Sequence, residues 1–595
     1  MIALLRALPF LLLAPFALAF VASSWLGILR GRWELLSFDP WRIHDAYFRI
    51  GSLSAVLYDQ NGHRPVIPGL LYKLDLHCFG ATNLFLVVIG LASITAGLAV
   101  ASWLVWQDRE IARRSRAAAI GFLWIAVFWL GNNRNLVHGN EVPFVGLPVL
   151  LIAVAGCGLH RIVRPAPEGR AGPAWGPIAA TAGACWAASF CHGVGLGLSL
   201  AVVVAALILR APRRAIIALS GSAAATFAIY FFVLPRALGE RLPPNQPSFA
   251  MPGLLWNALN WLGAPIVHTI AMPGEVHPWS PEDQRSSAIA LGAVTASIAL
   301  GMLVISALRP RRASPCEPWA LLCVLIGGGM ALQVAILRQQ HLELWPQIFH
   351  AGHYLIWICL LWSGLFALAA GRLGLPHSTP RVHAKLWIHG ALALLLGCAF
   401  VPTQLRAPAT FQHFKVRILE ASLGVALDVE DPVERKTILF HDLELIRRVA
   451  AHLRSQELAM FRWPESKLIG SRIEEQSDIA APEPLHGRVD AVEPIASQSS
   501  RGARFHGWAI PRTPSRSAVR VLAVAPSGIV AGAARFTRPH PKLAAAHRFP
   551  DQDALIGFRG YIKDYDPALD YRFFVVLEGE SIPVEIRAPA RPRAP

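Results

Sequence analysis

Eleven stretches of this chain are apolar for long enough to leave water, and that constrains everything else about its fold. They run near 5–27, 81–106, 117–133, 143–160, 174–190, 194–209, 215–234, 286–307, 318–337, 351–371 and 386–402. About 20 helical residues cross a bilayer's hydrocarbon layer of about 30 Å. Backbone groups inside that layer find no water, so each stretch must close its own hydrogen bonds as a helix. Of the 595 residues, 54% are hydrophobic and 16% charged, against roughly 25% charge in an average soluble protein. The expected fold class is therefore a polytopic α-helical membrane protein. The fifth and sixth stretches are short and separated only by CHGVG, as either a tight helical hairpin or one broken element. The first imitates a signal peptide, but its apolar run continues past Ala22 to Ile28, which makes it an uncleaved first helix.

The formal charge of +17 invites a nucleic-acid reading, but the arginines sit in short loops beside apolar runs. That is the pattern of topology determinants and anionic-lipid contacts, so no nucleic acid is expected as a partner. One set of loops holds Arg109, Arg113, Arg114 and Arg116, then Arg161, Arg164 and Arg170, then Arg210, Arg213 and Arg214. It continues with Arg309, Arg311 and Arg312, and with Arg372, Arg381 and Lys385. With eleven spans these fall on one side, the cytoplasmic one, which also holds the N-terminus. The C-terminal part is then extracytoplasmic.

Three stretches stand out from the helical pattern. A first outer loop, 28–80, gathers Asp39, His44, Asp45, Asp59, Asn61, His63, Arg64 and Asp75 among aromatic residues. Long connectors of this kind are usually functional. A second, 235–285, carries the aromatic run LLWNALNWLGAPIV, where Trp256 and Trp261 suit a re-entrant or interfacial element. Beyond 402 the composition turns soluble. A helical segment and linker occupy 403–484, and 485–595 alternates β-branched residues between turns, as a small β-sandwich does. The first domain is thus 1–402.

Four motifs point further. NGHRPVIPGLLYKLDL (61–76) resembles an N-E-H-R start followed by a Pro/Leu-rich run and an Asp, and NLVHGNEVPFVGLPVL (135–150) an E-N-x-x-W-G-x-Q-x-x-F segment. AASFCHGVGLGLSLAVVVAALILR (187–210) resembles a Ser-Phe-x-x-G-x-Gly-Leu helix start, and LNWLGAPI (259–266) a Leu-Gly-x-Pro loop. These belong to a broad group of bacterial multi-spanning proteins related to the GT-C class of glycosyltransferases, which take sugars from polyprenyl-phosphate carriers. The helical piece 426–470 and the GWA-containing β-module resemble what often follows in that group. Gly62 stands where Glu is usual, and His138 and Glu141 where Trp and Gln are usual.

The resemblance implies a GT-C-like fold of about eleven spans in the bacterial inner membrane. It also implies transfer from a polyprenyl-phosphate-linked sugar to a glycan or lipid acceptor of the cell envelope, at the outer face and with inversion. In that chemistry a first-loop carboxylate deprotonates the acceptor. Asp45 is the first choice and Asp39 the second, the competing role being a helix cap. Cations meet the departing phosphate: His63 and Arg64, with Asn61 beside them, or else these anchor a headgroup. Arg134, His138, Asn140 and Glu141 cluster between the third and fourth spans, and Arg338 and His353 precede the tenth. The first cluster lines a cavity or caps a helix, while Arg338 or His353 would bind the donor phosphate. His192 reads as a satisfied cavity histidine. No cofactor is called for. A divalent metal is compatible with His350 and His353 three apart, but a third and fourth ligand are lacking. The competing function is a non-catalytic one, in transport or assembly of lipid-linked polysaccharide. A transporter typically carries inverted repeats, and no internal repeat is visible in the sequence.

Overall fold

The computed structural model describes residues 2–57, 63–164, 175–234, 251–270, 280–337, 352–373, 380–473, 485–495, 501–511, 518–546, 555–577 and 584–587. The first helices are α1 (Ile2–Gly31), α2 (Asp39–Ile50), α3 (Ser52–Val56), α4 (Val66–Cys78), α5 (Leu84–Gln107) and α6 (Arg113–Phe128). There follow α7 (Arg134–Val137), α8 (Glu141–Val163), α9 (Trp175–Ser189), α10 (Val194–Ile208), α11 (Arg213–Ala228) and α12 (Met251–Ile270). Further long helices are α13 (Pro281–Leu308), α14 (Cys316–Leu337), α15 (Gly352–Leu373), α16 (Pro380–Ala399), α17 (Val401–Ala426) and α18 (Leu443–Ser455).

Among the described residues nine helical stretches are long and apolar enough to cross a membrane. The chain is a multi-pass membrane protein. Each of the nine overlaps an expected span. The two expected spans that do not qualify are α9 and α10, at 15 residues each, which reach only about 23 Å at 1.5 Å per residue. They meet at a tight corner, where a Cβ on Gly195 would overlap the backbone of Ala188 and Ser189. The last span also differs. It lies at the start of a longer helical stretch, Trp387–Ala426, that runs across the junction of α16 and α17.

Two compact units make up the chain. The first comprises Met1–Arg32, Leu53–Lys73 and Leu84–Phe411, the second Trp33–Ser52, Leu74–Asn83 and Gln412–Pro595. The first loop is therefore shared between the units, and it is helical (α2 to α4) through most of its described length.

In the first unit, small residues let backbones touch. A Cβ on Gly146 would overlap the carbonyl of Gly90, bringing α5 and α8 together, and one on Gly292 would overlap that of Leu259, joining α12 to α13. Such contacts suit a bundle in which apolar side chains gain nothing by leaving lipid. The aromatic run expected to form a re-entrant or interfacial element lies in one continuous helix, α12, on which Trp256 is exposed and Trp261 fully buried. Loops and helix ends are tied by ion pairs: Arg311 bonds Glu110 (2.8 Å) and buried Asp108 (3.3 Å), and Arg372 bonds buried Glu317 (2.5 Å).

The second unit contains one seven-stranded sheet: β1 (Leu485–Ile495), β2 (Gly502–Pro511), β3 (Ala518–Val524), β4 (Val530–Pro539), β5 (Leu555–Lys563), β6 (Arg572–Leu577) and β7 (Val584–Ile586). Its order is β1-β2-β5-β4-β3-β6-β7 with antiparallel neighbours. The edge strands meet through a parallel bridge, Arg488 with Arg587, and Val489 N–H donates to the Arg587 carbonyl at 3.0 Å. The β-sandwich expected from strand alternation is thus a single sheet curled onto itself, which leaves few open edges. Alternation gives which residues face inward and is the same for both architectures; pairing is what distinguishes them. Phe505, Phe558, Phe573 and Val575 fill the inside.

The other face is covered by the preceding helical segment: Leu423, Leu427 and Val429 pack against Leu522, Val524, Tyr561 and Phe574. Buried Glu420 of α17 accepts from Thr537 (3.0 Å), Arg538 (2.8 Å) and Arg559 (3.0 Å). Glu465 takes both prongs of Arg535, whose guanidinium lies 3.8 Å from the Trp463 ring centre. The helical segment and the sheet, separable stretches by composition, share one core.

Candidate functional site

Three of the motifs meet in the first unit. The residues following His63 start α4 at Val66, with Pro65 before the helix and Pro68 in its first turn, where a missing N–H leaves no bond unmade. This start is pinned at three points. Ile67 N–H donates to the Phe190 carbonyl at 3.0 Å, and Arg64 N–H to the Tyr230 hydroxyl at 3.1 Å. The His63 ring stacks on His192, centroids 4.4 Å apart. Gly193 permits that approach, since a Cβ there would come within 2.7 Å of His63 Nδ1. Val194 N–H donates to His192 Nδ1 at 3.2 Å, so the neutral ring carries its proton on Nε2.

Aromatic contacts extend the cluster. His192 lies 5.9 Å edge-on from Phe144 and 6.0 Å from Trp357, and Phe144 is 6.1 Å from Tyr72, whose hydroxyl donates to the Asn140 carbonyl at 2.8 Å. Stretches 61–76, 135–150 and 187–210 are thereby joined.

The turn from Trp129 to Glu141 is held by its own amides. Asn132 Nδ2 donates to the carbonyls of Ala126 and Val127 at 3.0 Å, and Asn135 Nδ2 to that of Gly352 at 3.1 Å. The second bond sets the start of α15, where His353 follows with its ring 3.9 Å from Tyr354. Arg134 is ion-paired with Glu141, so its charge is already countered. Of the donor-side residues expected from sequence, His63, Arg64, Arg134, His138, Asn140, Glu141 and His353 fall in the first unit. Asn61 and Arg338 lie outside the described residues.

Asp39 and Asp45 belong to the second unit. Asp45, on α2, is buried and engaged on both oxygens: Arg448 Nε donates to Oδ1 (3.2 Å), and a second nitrogen of Arg448 and one of Arg49 reach Oδ2 (3.4 Å each). Asp39 opens α2, bonds Arg42 at 3.2 Å and keeps a third of its side chain exposed. His44 Nδ1 lies 2.7 Å from the Pro40 carbonyl, and burial lowers its pKa to about 4, so the ring is neutral. Asp75 is buried on α4; its Oδ2 accepts from Asn83 N–H at 3.1 Å, while Oδ1 has no hydrogen-bond partner among the described residues. Burial raises its pKa to about 6, partly offset by the Asn83 N–H.

No family model matches the chain, and no curated protein is similar enough to count as a relative. Among solved structures it is similar to ArnT from Cupriavidus metallidurans bound to undecaprenyl phosphate, at 12% identity and a TM-score of 0.37, over 74% of this chain and 87% of that one. The apo state of the same protein matches over the same shares, at 13% identity and a TM-score of 0.31.

Two site residues escaped the sequence reading: Tyr230 holds Arg64, and Arg448 occupies Asp45. His192, expected as a cavity histidine, stacks on His63, a partner the sequence did not name. Each lies more than a hundred residues from its partner, and no local pattern joins such positions. CHGVG alone carried a hint, since a polar pair of residues inside an apolar run needs a reason.

Proposed function

We propose that this chain is a GT-C-like membrane glycosyltransferase that takes a sugar from a polyprenyl-phosphate donor and passes it to a cell-envelope glycan or lipid. The supporting observation is the His63–Arg64 segment pinned against the corner between α9 and α10, in a unit built of apolar helices. Two imidazoles and a guanidinium among aromatic rings suit an anionic headgroup carrying an apolar tail. In the reaction the acceptor hydroxyl attacks the anomeric carbon, the lipid phosphate leaves from the opposite face, and cationic donors stabilise its growing charge. The arginine distribution supports an N-terminus in the cytoplasm, an inner-membrane location and transfer at the outer face.

The resemblance gives the base as a first-loop acid. Asp45 is buried and held by guanidinium groups on both oxygens, whereas Asp39 is paired on one oxygen only, with Arg42, and is a third exposed, and so we assign the base to Asp39. Asp45 then serves as a clamp between α2 and α18. Transfer from a polyprenyl-phosphate sugar, measured in membranes, tests both roles. Asp39→Asn should lower the rate by about 10²–10⁴-fold at unchanged protein level. Asp45→Asn and Arg448→Ala should give similar losses of folded protein. Normal turnover in both aspartate variants would move the protein toward the assembly or transport role.

A further inference from the structure

We infer that Tyr230 is a positioning residue of the lipid-phosphate site, acting through Arg64; the inference rests on the function proposed above. Helix α11 does not end on an ordinary turn. It runs into a π-helical turn, Ile229–Val233, in which Tyr230 is 3% exposed while Phe231, Phe232 and Val233 are exposed by 48%, 83% and 70%. A π-turn widens the helix by one residue and so re-aims the side chains it carries, which is why such turns recur at functional sites. Here it sends one hydroxyl inward and three apolar side chains outward. The Tyr230 ring rests 6.2 Å from Phe190, beside the carbonyl that anchors Ile67.

What that hydroxyl holds matters more than its burial. Pro65 has no N–H to give, and Val66 N–H turns back to the Arg64 carbonyl at 2.9 Å. In the short stretch 64–66, the Arg64 N–H is therefore the backbone donor that reaches another element, and it reaches Tyr230 at 3.1 Å. The Arg64 side chain is buried, with Nη1 3.5 Å from the Leu57 carbonyl. The Tyr230 bond thus fixes the backbone from which the guanidinium is presented.

Binding of a fluorescent polyprenyl phosphate to the purified full-length protein tests this, with the uncharged polyprenol as control. Arg64→Ala should weaken phosphate-dependent binding by about 10- to 100-fold, the worth of a charge-assisted bond. Tyr230→Phe removes one neutral hydrogen bond and should weaken it by about two- to tenfold with an unchanged melting midpoint. In the Arg64→Ala background, Tyr230→Phe should change nothing further. If Tyr230→Phe binds like the parent while Arg64→Ala is weak, the phosphate site stands and the positioning role falls. An equal loss in both backgrounds also overturns it, because that is how a merely structural tyrosine behaves. If the parent shows no preference for the phosphate over the alcohol, the lipid-phosphate reading fails and this role with it.

Discussion

Replacing Asp75 by Asn should stabilise the protein at neutral pH, although it removes a charge from α4. The side chain is 1% exposed, one oxygen accepts from Asn83 N–H, and the other has no hydrogen-bond partner among the described residues. Desolvation therefore dominates and lifts the pKa from 3.8 to about 6. For a raised carboxyl, the unfolded chain releases its proton as pH passes about 4 while the folded chain keeps it until about 6. Stability falls across that window and stays reduced above it. A lift of about two pH units corresponds to about 3 kcal/mol at pH 7.5. Asn cannot ionise and keeps the oxygen that Asn83 uses, so the variant should gain up to that amount at pH 7.5 and almost nothing at pH 4. In a unit of this size, each kcal/mol moves the melting midpoint by about 2–4 °C. The assay is thermal unfolding of the detergent-solubilised parent and variant between pH 4 and pH 8. Equal midpoints at pH 7.5, or a variant less stable at both ends, would refute the desolvation argument.

Other outcomes follow from the packing. Glu420→Ala strips Arg538 and Arg559 of a shared buried acid and should destabilise the second unit by about 3–5 kcal/mol, read as earlier proteolysis of the sheet. A fragment from Leu485 onward should be insoluble or unfolded, because it exposes Tyr561 and Phe574 and strips Arg535, Arg538 and Arg559 of the acids they pair with; near-native circular dichroism of that fragment would disprove the shared core. Gly292→Ala should push α13 from α12 and cost about 1–3 kcal/mol, seen as a lower melting midpoint. Reporters fused at Arg312 and Pro595 should lie on opposite sides of the membrane. Treating α9 and α10 as non-crossing leaves that result unchanged, since removing a pair of spans preserves every other loop's side.

The sequence by itself determined the class of the protein and where most of its elements lie. Apolar length is a local property, and the bilayer rewards it directly, so nine spans were legible without a fold. The strands β1 to β4 and β6 were equally legible from alternation. Strand β5, LIGFRGYIK, was not, because glycine and arginine interrupt its pattern where Gly560 lies against Ala533 and Ala534. Tertiary structure alone decided pairing. It curled seven strands into one sheet, welded that sheet to α17 through Glu420, and divided the first loop between two units. The site shows the same divide. His63, Arg64 and Glu141 stood out as polar residues beside apolar runs, yet nothing local said that His63 would stack on His192, that Arg134 would be consumed by Glu141, or that Asp45 would be clamped by Arg448. The physical reason is that burial preference is carried by each residue, whereas the partner that makes a buried charge tolerable is supplied by whichever distant segment the packing brings alongside it.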